Sequence, residues 1–206
     1  MQVICLDLEG VLIPEIWIEF ANKTGIEELK ATTRDVPDYD ELMKQRLGYL
    51  DQHNLKLGDI QEVIASMSPL EGAREFLDGL RESYQVVILS DTFYEFADPF
   101  MAALGRPTIF CHRLQVNEQG VVEDYVLRQP DPKRKSVKAL KQLEYNVMAA
   151  GDSYNDTTML EEADAGFLFR APDNVIAEFP QYPHSTEYVE LRACFDSAAA
   201  AIGSDR

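Results

Sequence analysis

Residues 3–12 read Val3-Ile4-Cys5-Leu6-Asp7-Leu8-Glu9-Gly10-Val11-Leu12: four apolar residues, an acid, an apolar residue, a second acid and a glycine. A short apolar, partly β-branched run that stops at a carboxylate reads as a fully buried strand with a polar residue at its carboxyl end. The same layout recurs. Val86–Leu89 is followed by Ser90-Asp91-Thr92, and Val147–Ala150 by Gly151-Asp152-Ser153-Tyr154-Asn155-Asp156. Thr108–Cys111 and Phe167–Phe169 supply two further runs, and helix-period segments lie between them: Ala73, Phe76, Leu77 and Leu80; Phe100, Met101 and Leu104; Val137, Leu140 and Leu143. A last helix carries Tyr188, Leu191, Phe195 and Ile202 on one face, with Ser185 or Thr186 as its N-cap. Strands alternating with helices predict an α/β fold, a doubly wound parallel-sheet (Rossmann-like) core covered on both faces.

Two inserts interrupt the rhythm. Residues 13–70 are helical only, with stripes at Ile16, Phe20 and Ala21, at Leu42, Met43, Leu47 and Leu50, and at Ile60, Val63, Ile64 and Met67; Asp38 with Glu41 resembles a capping box for the middle helix. A helical piece of that size is marginal alone, so it is expected to pack as a cap (13–70) on a catalytic core (1–12 and 71–206). The second insert, Leu114–Leu127, alternates about Asn117-Glu118-Gln119-Gly120 and predicts a β-hairpin.

The chain has 206 residues with 19 Lys+Arg against 36 Asp+Glu, a formal charge of −17. Such a surface repels phosphate backbones and anionic lipid, which disfavours nucleic-acid and membrane partners. No apolar run exceeds five residues, far short of the about 20 a membrane span needs. The start of the chain lacks the pattern of a signal peptide, so a cytoplasmic location is expected. Cys5, Cys111 and Cys194 form no metal or disulfide framework and read as buried thiols; His53, His112 and His184 share no ligand spacing and read as solvated or packed residues.

In an open α/β sheet ligands bind outside the carboxyl ends of the strands, which singles out Asp7, Glu9, Ser90, Asp91, Thr92, Asp152, Asn155 and Asp156. A lone Asp after a strand is commonly a turn former or cap, and for Asp91 or Asp156 alone that reading stands. Asp7 is different, because Leu8 follows it and no polar turn explains it. Carboxylates converging from separate strands repel unless a cation lies between them, and an all-oxygen set suits Mg²⁺.

The four blocks Asp7-Leu8-Glu9-Gly10-Val11-Leu12, Leu89-Ser90-Asp91, Lys133 and Gly151-Asp152-Ser153-Tyr154-Asn155-Asp156 resemble the ordered motifs of the haloacid dehalogenase superfamily. Their order and spacing suit members with a helical cap after the first motif. Phosphoserine phosphatases are the branch most resembled, and PEIWIEFANKTGI, LKATTRDVPDYDELMKQRL and LKLGDIQEVIA look like its ThrH subgroup. The resemblance implies Asp7 as nucleophile forming an aspartyl-phosphate, and Mg²⁺ held by Asp7, the Glu9 carbonyl and Asp152, with Asp156 orienting or completing that set. It also implies Ser90 and Lys133 on the phosphoryl group, with Asp91, Thr92 and Asn155 beside the substrate. For Lys133 a solvated basic face with Arg134 and Lys135 is the competing reading.

Glu9 departs from the family's usual Asp, the general acid and base; it either keeps the proton work with one extra methylene or is structural. Arg46, on the apolar stripe of the middle cap helix, either snorkels or, as the resemblance implies, binds a substrate carboxylate. Glu15 either favours a helix dipole or pairs the substrate ammonium. The implied substrate is L-phosphoserine, with transfer to homoserine as a second activity, in a monomer or homodimer. The alternatives are a capped phosphatase for another small phosphate ester and a non-enzymatic interaction protein on a decayed fold. Thr33, Arg34 and Arg128 are left without a role.

Overall fold

The computed structural model describes residues 1–32, 35–36 and 38–204. Among these residues seven strands form one sheet: β1 (Gln2–Leu6), β2 (Gln85–Phe93), β3 (Thr108–Val116), β4 (Val122–Val126), β5 (Asn146–Gly151), β6 (Ala165–Phe169) and β7 (His184–Ser185). Their order is β4-β3-β2-β1-β5-β6-β7, parallel except for β4, which pairs antiparallel with β3. The chain winds from β1 through β2 and β3 on one side, then crosses to β5 and β6 on the other. The carboxyl ends of β1 and its two neighbours therefore flank the point where winding reverses, which is where open α/β sheets bind ligands.

The apolar runs predicted as strands are strands because their side chains have somewhere to go on both faces. Ile4 and Leu6 join one apolar cluster, and Val3 and Cys5 the other, on the opposite side of the sheet. Helices cover them: α1 (Ile16–Thr24), α2 (Tyr39–Gln52), α3 (Leu57–Ala65), α4 (Ala73–Arg81), α5 (Tyr94–Ala103), α6 (Pro132–Gln142), α7 (Thr157–Glu162), α8 (Asp173–Glu178) and α9 (Tyr188–Ser204). In α4, Ala73, Phe76, Leu77 and Leu80 are all buried, and the Phe76 ring stacks on Tyr188 of α9 at 4.6 Å. Each Phe or Leu side chain so removed from water is worth about 1.5–3 kcal/mol. The helices of residues 13–70 share this cluster, since Phe20, Met43, Leu50 and Ile60 are contiguous with Ile4 and Phe96. The Asp38 side chain caps α2, accepting the Glu41 N–H at 3.0 Å.

Several expectations are corrected. The expected hairpin forms, β3 and β4 pairing antiparallel from Arg113–Val126 to Val116–Val122, but its first strand is the continuation of β3 from its pairing with β2 and does not begin at Leu114. Ser185 does not cap the last helix: it belongs to β7, where its backbone continues the sheet, and the helix starts at Tyr188. Thr186 offers its N–H to the Glu190 carboxylate at 3.4 Å instead. Leu143 is 68% exposed, because α6 has ended at Gln142 and the chain turns there. Cys5 and Cys111 are buried and Cys194 half-buried, all as free thiols; burial pushes the Cys5 thiol up to about 12. No described helix is long and apolar enough to cross a membrane.

Candidate active site

The strand ends converge because two glycines let them. Gly10 sits at φ +74°, and a Cβ there would lie 2.5 Å from Asp152 Oδ2; a Cβ on Gly151 would lie 2.2 Å from Asp156 Cγ. Neither approach is possible with a side chain. Between them Asp7 is fixed at both ends: its N–H donates to the Ala150 carbonyl at 3.0 Å, and its Oδ1 accepts the Leu8 N–H at 2.7 Å. Glu9 reaches further. Its Oε2 accepts the Ile16 N–H at 3.0 Å, tying the end of β1 to the first turn of α1.

Lys133, in the first turn of α6, is 2% exposed, which removes the solvated-face reading; Lys135, two residues on, is exposed. Its Nζ stands 3.0 Å from Asp7 Oδ1, 2.6 Å from Asp156 Oδ1 and 3.6 Å from Asp91 Oδ2. Burial opposes the charge, but the three carboxylates hold this ammonium well above its ordinary range. Asp156 Oδ2 accepts the N–H groups of Asp152 and Ser153 at 3.0 and 3.1 Å. Asp156 is thus a bracket between α6 and the loop after β5, not a lone turn former.

Asp7, Asp152 and Asp156 each offer one oxygen to a group whose atoms all lie within 4.8 Å of one another. Burial, then the Asp156 charge, pushes the Asp7 carboxyl well up against the pull of Lys133. Burial, Asp156 and Glu15 bring Asp152 up to about 7. One ammonium does not offset this many buried carboxylates, and the missing positive charge, with hard oxygen donors only, fits Mg²⁺.

A cleft of about 400 Å³ opens over these residues. Asp7, Glu9, Ser90, Asp91, Thr92, Asp152 and Asn155 line it from the sheet, and Glu15, Trp17, Tyr39, Leu42 and Arg46 from residues 13–70. Lys133 and Asp156 lie outside this lining, joined to it through Asp7 and Asp152. Ser90 Oγ accepts the Thr92 N–H at 3.3 Å. Asn155 Nδ2 donates to Asp91 Oδ2 at 2.8 Å. Burial works against ionising Asp91, yet Lys133, His112 and Asn155 together bring it down to about 2.

Arg46 is 8% exposed and does not snorkel. Its guanidinium lies over the Trp17 ring at 4.7 Å and Nη2 donates to the Ala31 carbonyl at 2.8 Å, while the buried Nε has no hydrogen-bond partner. Burial lowers it to about 10 in spite of Glu9 and Glu15 nearby. A desolvated guanidinium on a cleft wall is poised for an anion.

Every candidate of the sequence reading is therefore brought to one place. Arg128 is not: its Nη2 donates to Ser136 Oγ at 2.9 Å and its head lies over Phe110 at 5.1 Å. Thr33 and Arg34 lie outside the described residues. The sequence reading missed Trp17, Tyr39, Arg170 and His112. Arg170 follows β6 and lines the cleft, so the strand-end rule applied to that strand would have found it. Tyr39, whose hydroxyl donates to the Asp91 carbonyl at 3.0 Å, carried no signal beyond opening α2.

The family model of haloacid dehalogenase-like hydrolases matches residues 1–164. Phosphoserine phosphatase ThrH of Pseudomonas aeruginosa is 66% identical over 97% of this chain and 98% of its own length. A phosphoserine phosphatase of Pseudomonas syringae pv. tomato is 65% identical over 97% of this chain and 84% of its own. Among solved structures, a substrate-bound phosphoserine phosphatase complex superposes with a TM-score of 0.76 at 20% identity, covering 94% of this chain and 97% of that one, a likeness of fold. Motif order, strand-end carboxylates and near full-length similarity agree: the chain belongs to the haloacid dehalogenase-like hydrolases, in the branch that holds the ThrH phosphoserine phosphatase.

Proposed function

We propose that the protein is a Mg²⁺-dependent phosphoserine phosphatase that works through an aspartyl-phosphate on Asp7, with residues 13–70 as its cap over a core of 1–12 and 71–206. The observation that carries this reading is one cleft lined both by the pinned Asp7 carboxylate, backed from outside the lining by the buried Lys133 ammonium, and by Arg46 and Glu15 from residues 13–70. L-Phosphoserine has three charged groups, and each has a counterpart there. The phosphoryl group meets Ser90 and Lys133, the carboxylate meets Arg46, and the ammonium meets Glu15, with Asp91, Thr92 and Asn155 beside it.

Asp7 Oδ2 attacks phosphorus as the bond to the serine oxygen breaks, and Glu9 gives the leaving alkoxide its proton. Glu9 then takes a proton from water, whose oxygen attacks phosphorus; orthophosphate leaves and the Asp7 carboxylate is restored. Lys133 pulls the Asp7 carboxyl toward its ionised form, in part offsetting the opposite push of its burial. Asp7, Asp152 and the Glu9 carbonyl would hold the metal, with Asp156 orienting or completing the set. When bound, Mg²⁺ supplies charge compensation between nucleophile and phosphoryl oxygens. The hydroxyl of homoserine can take the place of water in the second half-reaction, because the pocket already fits an amino-acid head group. The setting is cytoplasmic and the partner a small molecule, in keeping with the −17 charge.

The test is incubation with Mg²⁺ and a panel of phosphomonoesters, with and without homoserine, following phosphate and phosphohomoserine. Preferential release from phosphoserine supports the reading; absence of phosphoserine turnover overturns it.

A further inference from the structure

His112 is a buried polar residue that the mechanism above does not use. It lies in β3, 2% exposed, opposite Phe93 of β2, where the register between the two strands shifts. That irregularity lies between Leu89 and Phe93, and Asp91 falls within it. The imidazole has a partner on each nitrogen. Nδ1 accepts the Arg128 N–H at 3.1 Å, so the neutral ring carries its proton on Nε2. Nε2 stands 3.5 Å from Asp91 Oδ1. The other oxygen of Asp91 accepts from Asn155 at 2.8 Å and faces Lys133 at 3.6 Å.

We infer that His112 is a positioning residue: by fixing the Asp91 carboxylate it holds Asn155 on the cleft wall and Lys133 against Asp7. A bland alternative is packing, since the Phe93 ring lies 6.4 Å away. The geometry separates the two, because a packing residue needs neither a set tautomer nor a carboxylate. This inference rests on the phosphatase reading of the cleft.

Three substitutions divide the roles of the ring. H112F keeps the volume and removes both contacts. H112N keeps an acceptor at the Nδ1 position for Arg128 but does not reach Asp91. H112Q places a donor at the Nε2 position. The expected result on phosphoserine is a loss in kcat/KM of about 10- to 100-fold for H112F and H112N, and retention within about threefold for H112Q. In a double-mutant cycle with D91N, H112F should add almost nothing to the D91N loss. Independent, multiplying effects, or an active H112N beside an inactive H112Q, would overturn the inference.

A second readout needs no turnover. Nitrogen NMR of the intact protein should show the Nε2–H tautomer of His112 and a shift of Nε2 on D91N substitution; an Nδ1–H tautomer overturns the assignment even if the variants misfold. Wild-type protein inactive on phosphoserine, with the tautomer as expected, would sink the proposed function and leave the His112–Asp91 pairing standing.

Discussion

Glu9 has one methylene more than the residue usual at its place in the family, and the structure gives that methylene a use. The longer side chain accepts the Ile16 N–H at 3.0 Å while its backbone stays in the turn after β1. Burial raises its carboxyl, and the Ile16 N–H, Thr92 and Arg46 only partly offset this. A carboxyl group raised by burial and held in the cleft in this way is suited to give and take a proton. Glu9→Gln should lower kcat on phosphoserine by about 10²–10⁴-fold while thermal stability changes little; turnover near wild type would refute the proton role. Arg46 makes a separable prediction. A charged hydrogen bond is worth about 1.5–3 kcal/mol, so Arg46→Ala should raise KM for phosphoserine roughly 10- to 100-fold. For a phosphate ester without an amino-acid head the change should be small, and equal effects on both substrates would remove Arg46 from carboxylate recognition.

At the scale of elements, the site depends on how closely three strand ends approach, and glycine sets that limit. Gly10→Ala meets two penalties at once: a left-handed φ of +74° and a Cβ 2.5 Å from Asp152 Oδ2. Gly25, which ends α1 at φ +73°, has nothing within 4 Å of its Cβ position. Gly25→Ala should therefore cost only the backbone strain, about 1–2 kcal/mol in a urea melt, and leave activity in place. Gly10→Ala should lose activity and more stability than Gly25→Ala, since the Asp152 carboxylate must move. Equal stability losses with both variants active would show that the strand ends have slack. Residues 13–70 are tied to the sheet by two such bonds: Tyr39 donates to the Asp91 carbonyl, and the Leu57 N–H, at the start of α3, donates to the Gly120 carbonyl at 3.0 Å in the hairpin turn.

For the whole molecule the −17 charge has two parts, a solvated surface and a buried knot of acids around Lys133. The knot makes stability depend on pH with a definite sign. Asp152 rises from 3.8 to about 7, so the folded state keeps a proton that the unfolded chain has lost, and its contribution is full below about pH 4 and gone above about pH 7. Mg²⁺ requires the deprotonated oxygens and should stabilise most where that contribution is gone. At 100-fold over its Kd the gain is about 2.7 kcal/mol, or roughly 5–10 °C in Tm for a chain of this size. This is expected at pH 8 and should shrink toward pH 5, read by thermal melts at matched ionic strength. A shift that is larger at pH 5 would contradict the placement of the cation among these carboxylates. The sequence by itself determined the alternating strands and helices, the helical insert and the carboxylates at strand ends, because burial on both faces of a parallel sheet forces short apolar runs and their polar stops. It also placed Arg46 on an apolar stripe, but not which way its head turns. Only the tertiary structure decided that Lys133 is buried, that Arg46 lies over Trp17 with an unpartnered nitrogen, and that His112 faces Asp91. Those facts depend on atoms far apart in the chain, and local periodicity, which records which face of an element is apolar, does not record which charge it will meet there.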